Sequence, residues 1–254
     1  MTFGVCCGLE MVPLAARAGF DFFETGVGGA TRPADSDAAF AETLAAFRAA
    51  PLPCRALNVF VPGALKITGP SVDDAALERH VAIVCARAQQ LGVRTIVFGS
   101  GGARNVPDGF ERATAYEQIR RFARMAGTHA ATHGITIAVE PLNTKECNIL
   151  TTVAEAAQVV RAVDHPAVRL LVDCYHWALE KETPDAIVKN GPLFAHAHLA
   201  TLPNRKAPGA EPYDFGPFFE ALRTIGYTGG VSIEGQIPDP AADLPRALAA
   251  MKAA

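Results

Sequence analysis

Short runs of apolar and β-branched residues recur along the chain, separated by longer stretches in which apolar positions return every three or four residues. The first pattern is that of strands covered on both faces and the second that of amphipathic helices, so their alternation predicts a parallel sheet built from βα units. Eight runs read as strands: 3–7 (FGVCC), 20–24 (FDFFE), 55–60 (RALNVF), 94–98 (RTIVF), 135–140 (ITIAVE), 168–173 (VRLLVD), 193–198 (LFAHAH) and 230–234 (GVSIE). Helices are expected over 36–49, 73–91, 112–133 and 152–163, among others. A glycine able to end a helix precedes several strands, as in AGFDFF, LGVRTIVF and HGITIAVE.

Length turns this alternation into an architecture. Eight βα units in 254 residues match a (β/α)8 TIM barrel, which uses about 250 residues as one domain. We therefore expect an α/β, single-domain TIM barrel over 1–254. An open doubly wound sheet is the alternative, but no GxGxxG follows the first strand. With 50% apolar and 19% charged residues, the chain has ample material for one large core.

Charge and targeting signals narrow the partners. Lys and Arg number 23 against 26 Asp and Glu, with no basic run, so the electrostatic footprint of a nucleic-acid binder is missing. No apolar stretch approaches the ~20 residues of a membrane span. The start, MTFGVCCGLE, lacks a basic segment followed by an apolar core, and a cytoplasmic location is expected. Six cysteines without a CxxC read as reduced, mostly buried thiols rather than zinc ligands.

The candidate chemistry lies at the C-terminal ends of the strands, where barrels of this kind carry their sites. Four consecutive strands end in Glu140, Asp173, His198 and Glu234. One carboxylate at a strand end is commonly a helix cap, whereas four ligand-type residues converging on one mouth suggest a metal site. Three carboxylates and an imidazole form an oxygen-rich set suited to Mn2+, Mg2+ or Co2+. His196 faces the same side of its strand as His198, and is expected to support the ligands or line the lumen. Glu24 ends the second run and Asn58 lies near the end of the third, and both reach the same mouth by position alone. The Gly-rich stretch 98–107 (FGSGGARNVP) follows a strand and could cradle a phosphate or fold over a substrate, but lacks the GKS/T of a P-loop. His80, His129, His133 and His165 fall on helices or turns and receive no role.

The segments VEPLNTKE (139–146), VDCYH (172–176), HAHLATLPNRKAPG (196–209) and GGVSIEG (229–235) resemble the xylose-isomerase-like sugar isomerase and epimerase superfamily, close in pattern to ketose 3-epimerases and hydroxypyruvate isomerases. The resemblance implies that Glu140, Asp173, His198 and Glu234 bind one divalent metal, usually Mn2+. It further implies that Glu146, His176 and Arg205 contact the substrate. The expected activity is isomerisation or epimerisation of a keto sugar or a related small hydroxy-carbonyl compound, with Glu140 and Glu234 exchanging the proton through a metal-stabilised enediolate. The expected partner is thus a small-molecule carbohydrate, and homo-oligomers are common among such barrels. Within the superfamily, an inosose-dehydratase-like lyase would begin with the same proton abstraction, and a non-catalytic sugar-binding barrel is the reading from another class. Endonuclease-IV-like hydrolysis would need about three zinc ions and a basic groove. The chain departs from the 3-epimerases in its shorter length, a longer loop between His198 and Arg205, and a first strand without sugar-facing aromatics.

Overall fold

The computed structural model describes residues 1–254, and its eight parallel strands close into a barrel in chain order. They are β1 (Thr2–Cys6), β2 (Phe22–Gly26), β3 (Cys54–Asn58), β4 (Thr95–Phe98), β5 (Thr136–Val139), β6 (Val168–Asp173), β7 (Phe194–Leu199) and β8 (Gly230–Ile233), with β8 pairing back onto β1. The outer layer comprises α1 (Val12–Ala18), α2 (Val27–Thr31), α3 (Asp37–Ala49), α4 (Asp74–Gln90), α5 (Gly101–Arg104) and α6 (Arg112–Thr132). It continues with α7 (Val153–Val163), α8 (Cys174–Leu179), α9 (Pro184–Val188), α10 (Gly216–Thr224) and α11 (Pro240–Ala253). No helix is long and apolar enough to cross a membrane.

Local chemistry explains where the long helices begin. Ser36, Asp73, Glu111 and Thr152 each accept a hydrogen bond from a backbone N–H in the first turn of the helix that follows, satisfying one of the donors a helix start leaves unpaired. All four caps lie at or next to the boundaries expected from the apolar pattern. The strands agree with that pattern to within about two residues, with one consequential shift. β2 runs to Gly26, so Glu24 sits in mid-strand, directed into the barrel, and does not end it.

Alternation along the strands divides the interior into two zones. Outward-facing residues such as Val5, Phe23, Leu57, Ile96, Ile137, Val172 and Val231 join the helices in one core of 63 buried residues; burying one such side chain contributes roughly 1.5–3 kcal/mol. Inward-facing Val97, Ala138 and Leu171 form a small separate cluster. The rest of the lumen is largely polar, holding Glu24, His196, His198 and Ser232, all buried. Parallel register sets Asp173 opposite His198 and His198 opposite Ser232, so neighbouring strand ends deliver their side chains at one level.

Candidate active site

Glu140 follows the last residue of β5, Asp173 ends β6, His198 is the penultimate residue of β7, and Glu234 follows β8. One ligand atom from each lies within 4.8 Å of the others, so the structure assembles all four residues singled out as ligands. The Nδ1 of His198 faces them, 3.2 Å from Glu140 Oε1 and 3.6 Å from Glu234 Oε2. The first of these carboxylates rests against bare backbone: a Cβ on Gly99 would press on Glu140 Oε2 and displace the carboxylate from this position.

The loops place the other candidates around this cluster. His176, buried in α8, accepts hydrogen bonds at Nδ1 from the amide nitrogen (3.3 Å) and Nδ2 (2.7 Å) of Asn143. Its Nε2 is therefore the protonated nitrogen, and it points towards Asp173 Oδ2 at 3.5 Å. Arg205 has a positive φ of 49° and its guanidinium lies 4.8 Å from the ring centroid of Tyr175. It reaches Glu146 Oε1 at 3.2 Å and Asp173 Oδ2 at 3.7 Å. Asn143 also donates to Glu146 Oε1 at 2.9 Å, and Asn58 donates to Glu234 Oε1 at 2.9 Å.

Burial sets opposite protonation tendencies on these groups. Desolvation raises the Glu140 carboxyl, and burial together with the charge of Glu234 pushes Asp173 up to about 6. Glu234 is also penalised by burial, yet His198 and Arg205 outweigh that and bring it down to about 2. Burial works against a charged His198, but Glu24 and Glu234 hold its pKa well above the usual imidazole range. His176 is lowered, chiefly by burial.

A divalent cation fits this arrangement. Asp173 Oδ2 is a buried acceptor with no hydrogen-bond partner, and such orphans are rare without an ion, water or ligand to meet them. Three carboxylates within reach of one point repel one another unless a cation or protons intervene. Above the cluster opens a cavity of about 280 Å³, lined by Glu140, Glu146, His176, Arg205, Glu234 and the Gly99–Gly102 loop, the size of a small polar molecule. The stretch 98–107 thus forms a wall of the cavity. Within it Arg104 is fully buried and donates to the carbonyls of Phe98 and Glu140. A larger cavity of about 480 Å³ at the opposite end of the barrel, lined by Arg55, Arg94 and His196, holds none of the clustered carboxylates.

Two participants carried little or no sequence signal. Glu24, reached only by position, is fully buried and bonded to both inward histidines of β7. Asn143 lies inside VEPLNTKE with no sequence signal of its own; its bridge between His176 and Glu146 appears only once β5 and β6 are folded side by side. The signal available for Glu24 was a lone carboxylate within FDFFETG, since a charge buried in an apolar strand requires a partner.

Fold and site together define a TIM barrel with a carboxylate and imidazole cluster at its C-terminal mouth. The chain belongs to the xylose isomerase-like TIM barrel family, whose profile matches residues 12–254. Among curated proteins it is 37% identical over 101 residues to a probable ketose 3-epimerase of Synechocystis, covering 39% of this chain and 35% of that protein. It is 35% identical over 115 residues to 3-dehydro-D-guloside 4-epimerase of Escherichia coli, covering 44% of each chain. These alignments thus span less than half the length of the relatives they match. The crystal structure of 3-keto-D-glucoside 4-epimerase YcjR from E. coli superposes with a TM-score of 0.84 at 23% identity, covering 100% of both chains, a likeness of fold.

Proposed function

We propose that this chain is a divalent-cation-dependent isomerase or epimerase acting next to the carbonyl of a keto sugar or a related small hydroxy-carbonyl compound. The observation that carries the reading is the convergence of Glu140, Asp173, His198 Nδ1 and Glu234 around the orphaned Oδ2 of Asp173. The names of the two curated relatives support it. Both describe inversion of a carbon, and in a 4-epimerase of a 3-dehydro sugar that carbon adjoins the ketone.

Glu140, Asp173, His198 and Glu234 would hold the cation, with Mn2+ favoured by the family resemblance and Mg2+ or Co2+ suited to the same oxygen-rich set. Bound there, it would supply electrostatic stabilisation of the negative charge that develops on the substrate oxygens when the neighbouring carbon loses its proton. Glu140 and Glu234 are the two carboxylates placed to exchange that proton. They start unequal: burial favours the protonated form of Glu140, while Glu234 is held ionised. Carboxylates pushed apart in this way divide into acid and base. His176 and Arg205 line the cavity and would donate to substrate oxygens, and Glu146 would accept from a hydroxyl. Arg205 is already shared among three carboxylates.

The test is incubation of Mn2+-loaded protein in D2O with a panel of ketoses, 3-keto sugars and hydroxy-keto acids, the recovered substrates being read by NMR. Deuterium at one carbon beside the carbonyl, in substrate and in its epimer or isomer, is expected for one class. Absence of exchange and of conversion across the panel would overturn the reading.

A further inference from the structure

Below the ligand cluster, the lumen contains a charge that the proposed proton transfer leaves unused. Glu24 is fully buried, and no Lys or Arg pairs with it. Its carboxylate meets two imidazoles from the far side of the lumen: Oε1 lies 3.0 Å from His198 Nε2 and Oε2 lies 2.9 Å from His196 Nε2. The two rings are near perpendicular, at 86°, with centroids 5.2 Å apart, so one carboxylate serves both.

An ionised carboxylate only accepts hydrogen bonds, so the nitrogens facing it must carry hydrogen. With an imidazole nitrogen at hydrogen-bond distance from each of its oxygens, the Glu24 carboxylate is engaged as an acceptor on both sides. With hydrogen on Nε2, His198 in its neutral form keeps a lone pair on Nδ1. That is the nitrogen turned to Glu140 and Glu234. The reverse tautomer would direct hydrogen into the ligand cluster and leave Nε2 and Glu24 as two facing acceptors. His196 secures the other carboxylate oxygen, and Ser232 Oγ lies 3.2 Å from the same His196 nitrogen. Rotating Glu24 away would strand buried imidazole N–H groups without an acceptor, which burial penalises.

We propose that Glu24 is a positioning residue: it selects the Nε2–H tautomer of His198 and so presents Nδ1 to the divalent cation, with His196 clamping the carboxylate from its other side. This rests on the cation-dependent reading above. Outer partners of metal-bound histidines act in this way generally, and their loss weakens metal binding by about 10–100-fold.

The experiment measures Mn2+ affinity by calorimetry in the wild type, Glu24→Met and Glu24→Gln, alongside the melting temperature of each metal-free protein. Long-range 1H–15N NMR of wild type loaded with diamagnetic Zn2+ reports the His198 tautomer. We expect Nε2–H in the wild type, about 10–100-fold weaker Mn2+ binding in Glu24→Met, and substantial recovery in Glu24→Gln, whose amide oxygen still accepts from His198. Glu24→Met with a lower melting temperature but wild-type Mn2+ affinity would reduce Glu24 to a structural residue and overturn the proposal. Hydrogen on Nδ1 of His198 in the Zn2+-loaded wild type would overturn it even if Glu24→Met did not fold. A wild type that binds no divalent cation would instead overturn the cation-dependent reading, and this one with it.

Discussion

Nη2 of Arg205 lies 2.6 Å from Oε2 of Glu234. The same guanidinium reaches Glu146, so one planar fork joins a candidate proton-transferring carboxylate to a substrate-side one. Arg205→Ala should lower kcat/KM by about 10²-fold, roughly 2–3 kcal/mol of charge-assisted hydrogen bonding, while leaving the bound-metal stoichiometry intact. Arg205→Lys should recover little, because an ammonium cannot reproduce the fork or the contact with Tyr175. Steady-state kinetics with metal analysis decides this, and a fully active lysine variant would count against the role.

Removal of the cation should destabilise the fold. Binding at about 100 times Kd contributes about 2.7 kcal/mol, which for a chain of this size corresponds to roughly 5–10 °C in melting temperature. Asp173→Ala and His198→Ala should melt alike with and without Mn2+. An unchanged wild-type melting curve after verified chelation would contradict the site.

Metal binding should strengthen with pH. The sign follows from the shifts: Asp173 retains its proton up to about 6, and Glu140 and His198 are also raised, yet a ligand must shed its proton to bind. Apparent Mn2+ affinity should therefore rise from about pH 5 to about pH 7, roughly tenfold per pH unit for each proton displaced. Calorimetry in buffers of different ionisation enthalpy should show net proton release. A flat profile would mean that these groups are not the ligands.

Glu140→Gln and Glu234→Gln keep an oxygen at each position but cannot exchange a proton. Both should bind Mn2+ more weakly and still bind it at high concentration, with turnover nearly abolished. For an epimerase, each variant should retain solvent exchange with at most one of the two stereoisomers, because only one face has lost its base. Product formed in D2O without deuterium at the reacting carbon would exclude the two-carboxylate scheme.

Asn143 tethers the free acceptor of His176 and one oxygen of Glu146. Asn143→Ala should raise KM more than it lowers kcat, since the two groups proposed to contact substrate lose their common anchor while the proposed ligand cluster is untouched. Equal effects of Asn143→Ala on metal affinity and on KM would show that the tether belongs to the cation site instead.

By itself, the sequence determined the alternation of strand and helix and, through its length, a closed barrel. It also placed Glu140, Asp173, His198 and Glu234 at strand ends, because period-two and period-3.6 apolar patterns are local and strand termini mark the barrel's mouth. What only the tertiary structure decided are contacts between residues distant in the chain. Glu24 meets His196 and His198 across separations of 172 and 174 residues. β2 also extends two residues beyond the run that suggested it, which moves Glu24 from the mouth into the lumen. Arg205 joins Glu146 and Glu234 across 59 and 29 residues, and Asn143 finds His176 across 33. Side-chain pairing of this kind leaves no periodic trace, because the lumen is filled from opposite walls and the geometry that joins those walls exists only once β8 has closed onto β1.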